Sequence, residues 1–138
     1  MCVEIFITTK FTGKVTHGNG AYGIAIRTEK RPETMSSYVM GWRGLSYQKL
    51  NVRAVVDAIQ SINHPSQVKM FLDNVYAIHM IEKGMIDAKY SYAGLWKTFQ
   101  DVSADMEKLI VVRQKNHEYR RMLLQKINAG GYPVINDR

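Results

Sequence analysis

Apolar and polar positions alternate between two periods along this chain. Residues 3–9, Val-Glu-Ile-Phe-Ile-Thr-Thr, are β-branched and aromatic and predict a strand. Residues 10–20 carry Lys, Thr and three glycines and end in Asn19-Gly20, which predicts a connection. Strands follow at 21–28 and 35–42, separated by the polar turn 29–33. From Tyr47 to Asn63 the period changes. Leu50, Ala54, Ala58 and Ile62 recur every four residues with Val55 and Ile59 beside them, the stripe of an amphipathic helix. His64-Pro65-Ser66 ends it. The spacing then predicts a short buried strand at 68–72 and a helix at 74–83 closed by Gly84. A helix at 95–106, a strand at 109–113 and a last helix at 117–128 complete the pattern. Residues 132–138 read as a loosely held tail.

The order is βββαβααβα. Three opening strands form an antiparallel meander, and the later strands, alternating with helices, should lie parallel to the first. The fold class is therefore α/β, a mixed five-stranded sheet with helices on both faces. At 138 residues, one domain over 1–130 with a C-terminal tail over 131–138 is expected. There is no internal repeat or low-complexity segment.

Composition narrows the partners. The single cysteine, Cys2, excludes an intrachain disulfide and suits a reducing compartment, so a cytoplasmic location is expected. No apolar run reaches the length of a membrane span, and no membrane partner is expected. The net charge is +7 and the pI near 9.6, which favours polyanions. Between Glu107 and Lys126, the six bases Lys108, Arg113, Lys115, Arg120, Arg121 and Lys126 face only Glu107 and Glu118, a sign bias that a solvated helix face does not easily explain.

Several short motifs then fall into a familiar order. Val3-Glu4-Ile5-Phe6 resembles the first strand of ribonuclease HI, and Gly20-Ala21-Tyr22-Gly23 the glycine-tyrosine turn opening its second. Asp73-Asn74-Val75-Tyr76 resembles that family's Asp-Ser-x-Tyr after the fourth strand, and Leu95-Trp96 the Leu-Trp opening a later helix. No one motif is specific. Their order and spacing, in register to about residue 128, make the chain resemble the ribonuclease H-like superfamily.

The resemblance implies a chemistry that can be tested residue by residue. Such enzymes cleave the RNA strand of an RNA–DNA hybrid with two divalent ions roughly 4 Å apart. Two hard cations held together need several anionic oxygens. The family places carboxylates on the first strand, the first helix, after the fourth strand and on the last helix. The corresponding positions here are Thr8, Asn51, Asp73 and Arg121, so Asp73 is the one retained carboxylate. Glu4 shares a strand face with Thr8 but lies about 13 Å along it. Asp57 is rotated off the face of Asn51. Asp87, Asp101 and Asp105 fall around a later helix. The expectation is a degenerate site in which Asp73 pairs with Arg121, with Asn51 and Thr8 hydrogen-bonded around them. In the simpler reading Arg121 faces solvent.

Other candidates carry less. His17, His64, His79 and His117 lack ligand spacing and read as loop or surface residues. Gly18-x-Gly20-x-x-Gly23 enters a strand rather than opening a helix, so it is a turn and not a dinucleotide fingerprint. Cys2 has no nucleophile context. Trp42 and Trp96 read as core residues. Tyr90-Ser91-Tyr92, with Lys83 and Lys89 nearby, could stack on bases or pack as a loop.

The function expected is a catalytically degenerate domain that binds an RNA–DNA hybrid or duplex without cleavage. Its nucleic-acid contacts would be Lys10, Lys14, Lys49, Arg113, Lys115 and Arg120, and it would need no cofactor. An active nuclease centred on Asp73, requiring Mg²⁺ or Mn²⁺, and a protein-interaction module on the same scaffold are the alternatives.

Overall fold

A computed structural model describes residues 1–62, 67–84 and 91–137. Among them the strands β1 (Cys2–Lys14), β2 (His17–Thr28) and β3 (Arg31–Leu45) come first, then helix α1 (Tyr47–Gln60) and strand β4 (Gln67–Leu72). Helices α2 (Val75–Lys83) and α3 (Ala93–Ser103), strand β5 (Lys108–Arg113), helix α4 (Arg120–Ala129) and strand β6 (Val134–Asn136) complete the order. The strands form one sheet in the order β5-β4-β1-β2-β3-β6. β1, β2 and β3 make the expected antiparallel meander. β4 runs parallel to β1 and β5 parallel to β4.

The sheet is covered on both faces, which explains the unbroken apolar reading of β1. Ile5 and Ile7 face one core, shared with Leu50, Val55 and Ile59 of α1, Met80 of α2, and Trp96 and Phe99 of α3. Phe6, between them in sequence, faces the opposite side, where Leu123 of α4 packs on it and on Ala25. A strand buried on both faces has no polar side to alternate with. Gly23, opposite Thr8 in the β1–β2 register, lets α4 come close. A Cβ there would lie 2.9 Å from the Leu123 Cβ.

Local signals set the helix ends. Ser46 caps α1 by accepting from the Lys49 N–H at 3.0 Å, and Asn74 caps α2 by accepting from the Ala77 N–H at 2.8 Å. Gly84 closes α2 with a left-handed φ of 59°.

Four expectations need correction. Residues 10–20 are not a loose connection, because β1 and β2 stay paired from Lys10↔Ala21 to Lys14↔His17. Their backbone hydrogen bonds, with the Phe11 ring against Tyr47, hold a polar, glycine-bearing hairpin that propensity alone does not reveal. The last helix begins at Arg120 rather than 117. The tail is not loose, and the sheet has six strands rather than five, since β6 pairs in parallel with Gly41–Arg43. Asp137 pins the tail. Its N–H donates to the Arg43 carbonyl at 2.8 Å, and its carboxylate accepts from Lys49 Nζ at 2.6 Å and Arg53 Nε at 2.9 Å. Arg53 in turn lies over the Trp42 ring, 4.0 Å from its centroid. Among the described residues no helix is long and apolar enough to cross a membrane.

Candidate nucleic-acid interface

β4 ends beside the middle of β1, and the carboxyl end of a parallel strand is the usual place for a site in such a sheet. The register pairs Phe6 with Phe71, so continuing it by two residues sets Thr8 level with Asp73. Both line a cavity of about 240 Å³, together with Asn51, Asn74, Lys115 and Arg120. Three of the four positions singled out by sequence therefore converge: Thr8, Asn51 and Asp73. The fourth, Arg121, is exposed and does not line the cavity. Because α4 starts at Arg120, it is Arg120 that lines it.

The expected Asp73–Arg121 pair is replaced by another. The Asp73 carboxylate pairs with Arg113 at the end of β5, Nε to Oδ1 3.5 Å, in a half-open setting. Asn51 is buried with its amide committed: Nδ2 donates to the Tyr47 carbonyl at 3.0 Å, and Oδ1 accepts from the Thr9 hydroxyl at 3.4 Å.

Thr8 is tied to a residue the sequence reading set aside. His117 lies in the loop between β5 and α4 but is buried rather than on the surface, and its Nε2 lies 2.9 Å from the Thr8 Oγ1 and 3.1 Å from the Ile7 carbonyl. The Tyr119 N–H donates to its Nδ1 at 3.2 Å, so Nδ1 is unprotonated and Nε2 carries the proton. Burial holds the imidazole pKa below its usual value. The Ile7 carbonyl opposes that shift and the nearby Arg120 charge adds to it. With His117 as donor, the Thr8 hydroxyl proton is left for the cavity.

This donor set does not suit a pair of divalent ions. The cavity offers one carboxylate, already paired with a guanidinium, and Lys115 and Arg120 add positive charge. Among the described residues no group of three His, Cys, Asp or Glu side chains could hold a metal ion. The Lys115 ammonium and the Arg120 guanidinium have no hydrogen-bond or ion-pair partner among the described residues. What the cavity can do is accept an anion, through two cations and a hydroxyl.

The comparisons with known proteins agree on the scaffold. A ribonuclease H from Trichodesmium erythraeum (strain IMS101) is 30% identical over 94 residues, 68% of this chain and 57% of that protein. The chain thus spans little more than half the length of that relative. The N-terminal RNase H domain of a Mycobacterium tuberculosis protein superposes with a TM-score of 0.69 at 11% identity, over 92% of this chain and 95% of that one. RNase H1 from the archaeon Halobacterium salinarum NRC-1 gives 0.69 at 7% identity, over 94% and 93%. The chain belongs to the ribonuclease H-like superfamily. A third similar structure, LC11-RNase H1 in complex with an RNA/DNA hybrid, gives 0.65 at 11% identity, over 92% and 97%. No family model matches the chain.

In this ribonuclease H-like domain the remaining predicted bases scatter. Lys49 is committed to Asp137 and Arg113 to Asp73. Lys14 sits at the exposed end of the β1–β2 hairpin, and Lys10 reaches Asn128 in a separate cavity. The acids that could have stood in for metal ligands are also engaged elsewhere. Glu4 pairs with Arg27 at 2.8 Å, and Asp57 accepts from the Tyr22 and Tyr38 hydroxyls at 2.6 and 3.0 Å. Trp96 is buried, and Tyr92 donates to or accepts from the Ser46 hydroxyl at 2.8 Å as part of a packed loop. His64, Asp87, Lys89 and Tyr90 lie outside the described residues. His117 was missed because its burial depends on how α4 crosses Phe6. A histidine three residues before a helix carries no signal of that.

Proposed function

We propose that this domain binds the phosphate backbone of a nucleic-acid duplex, in the first instance an RNA–DNA hybrid, without cleaving it and without a divalent ion. The observation that carries the reading is the charge of the cavity where β4 ends beside β1. Its one carboxylate is spent on Arg113, while Lys115 and Arg120 are unpaired. A phosphodiester is the anion that a nucleic-acid backbone offers, and two cations with a hydroxyl donor suit it. Thr8, Asn51 and Asp73 then act as the floor of a phosphate seat rather than as metal ligands. The similar structure solved with an RNA/DNA hybrid supports the choice of hybrid as first ligand.

The test is to incubate the protein with labelled hybrid in Mg²⁺, in Mn²⁺ and in chelator, reading both shift and cleavage. The reading expects an equal shift in all three and no cleavage. Metal-dependent cleavage abolished by Asp73→Asn would instead establish an active nuclease. No shift at moderate salt would leave the fold as a scaffold for some other partner.

A further inference from the structure

A second cavity, of about 390 Å³, opens between the C-terminal end of α4 and the strands β1, β2, β3 and β6. No carboxylate lines it. Lys10 reaches into its wall and donates to the neutral Asn128 carbonyl at 2.5 Å, so its charge is not compensated there. The Arg43 guanidinium and the Tyr132 hydroxyl have no partner among the described residues. Asn19 spends its carbonyl on the Gly44 N–H at 3.1 Å and keeps its amide N–H₂ group available.

The tyrosine is built into place. Gly130 and Gly131, at φ 74° and 80°, turn the chain out of α4 in a left-handed conformation that favours glycine, so Tyr132 reaches back over the sheet. Its ring lies on the bare backbone of Gly41. A Cβ at Gly41 would come 2.7 Å from the ring Cε1 and 3.0 Å from a Val134 methyl. The ring is thus a platform held from below by β3, with a cation on either side of the cavity.

We infer that this cavity takes one nucleotide unit, its base stacked on Tyr132 and its phosphate between Lys10 and Arg43. The two asparagine side chains can read the base edge. The volume suits a small ligand and is too small for a duplex. An aromatic face with flanking bases and no acid is the chemistry that selects an aromatic anion. The unit can be a free mononucleotide or an unpaired nucleotide of a longer strand. Position makes the second natural. Thr8, Lys10 and Thr12 point to one side of β1, Thr8 into the first cavity and the other two into this one. The inference stands on these residues alone and does not require that the first cavity hold a duplex.

The experiment uses the full chain in chelator at low salt with three probes: adenosine monophosphate, blunt RNA–DNA hybrid, and the same hybrid with a short single-stranded tail. The tailed hybrid is expected to bind about tenfold tighter than the blunt one. That gain should disappear in Arg43→Ala and Tyr132→Ala and survive in Tyr132→Phe. Arg43→Ala leaves the Tyr132 packing on Gly41 in place, so it stays informative even if Tyr132→Ala disturbs β6. Adenosine monophosphate shifting the Gly20 and Gly41 amide resonances would assign the site to free nucleotide as well. Blunt hybrid binding with neither a tail gain nor an amide shift would overturn this inference and leave the duplex reading standing. Mononucleotide binding lost in Arg43→Ala, without any hybrid binding, would do the reverse.

Discussion

His117 donates from Nε2 to the Thr8 hydroxyl across 2.9 Å, joining the segment before α4 to the middle of β1 beneath the candidate site. The Tyr119 N–H donates to Nδ1 of the same ring, and that bond requires a neutral imidazole. A protonated ring would lose that acceptor and place a charge in a buried position.

A pH dependence follows. The unfolded imidazole titrates near 6.5, and burial sets the folded value lower. Protonation between the two values favours the unfolded chain. The stability from a neutral His117 is therefore complete above about pH 6.5 and is lost as pH falls through the folded value. Urea melts from pH 7.5 to 5 should show this fall. His117→Gln should be less stable at pH 7.5, by about 1–3 kcal/mol, and should flatten the slope over that range.

Close packing of α4 on the sheet gives a second expectation. Leu123 is fully buried and cannot move away from a methyl placed on Gly23. Gly23→Ala should cost about 1–3 kcal/mol in chemical denaturation. Combining it with Leu123→Val should cost less than the sum of the two single changes, because the two side chains compete for one space.

The C-terminal strand is predicted to hang on one carboxylate. Burial pushes the Asp137 carboxyl upward, but hydrogen bonds from Lys49 and Arg53 outweigh it and hold the pKa below the usual carboxylate range. Its contribution is present above the ordinary carboxylate value and fades as pH falls through the folded one. Asp137→Asn should lower stability at neutral pH by about 1–2 kcal/mol. In hydrogen exchange the Gly41 amide, which donates to Pro133, should lose protection before the amides of β1 do.

These features divide by how far apart in sequence their causes lie. The α1 stripe, the Asn74 and Gly84 caps and the apolar run of β1 were legible because each depends on neighbours within a few residues. The convergence of Thr8, Asn51 and Asp73 was legible through their positions in a recognised element order. The partner of Asp73 was not. Choosing Arg113 over Arg121 depends on where α4 starts, and the stretch from Asn116 to Tyr119 carries no side-chain cap hydrogen bond to mark that start. The β6 strand was hidden because three residues after Gly-Gly-Tyr-Pro have no periodicity to read. Asp137 anchors them through Lys49 and Arg53, more than eighty residues away.

The most direct test of a metal-free phosphate seat is the salt dependence of hybrid affinity in chelator. The slope of log affinity against log salt should become shallower by about 1 in Lys115→Ala and again in Arg120→Ala, with affinity weakened alike for every hybrid sequence. Slopes unchanged in both variants, or binding that appears only when Mg²⁺ is restored, would contradict the account.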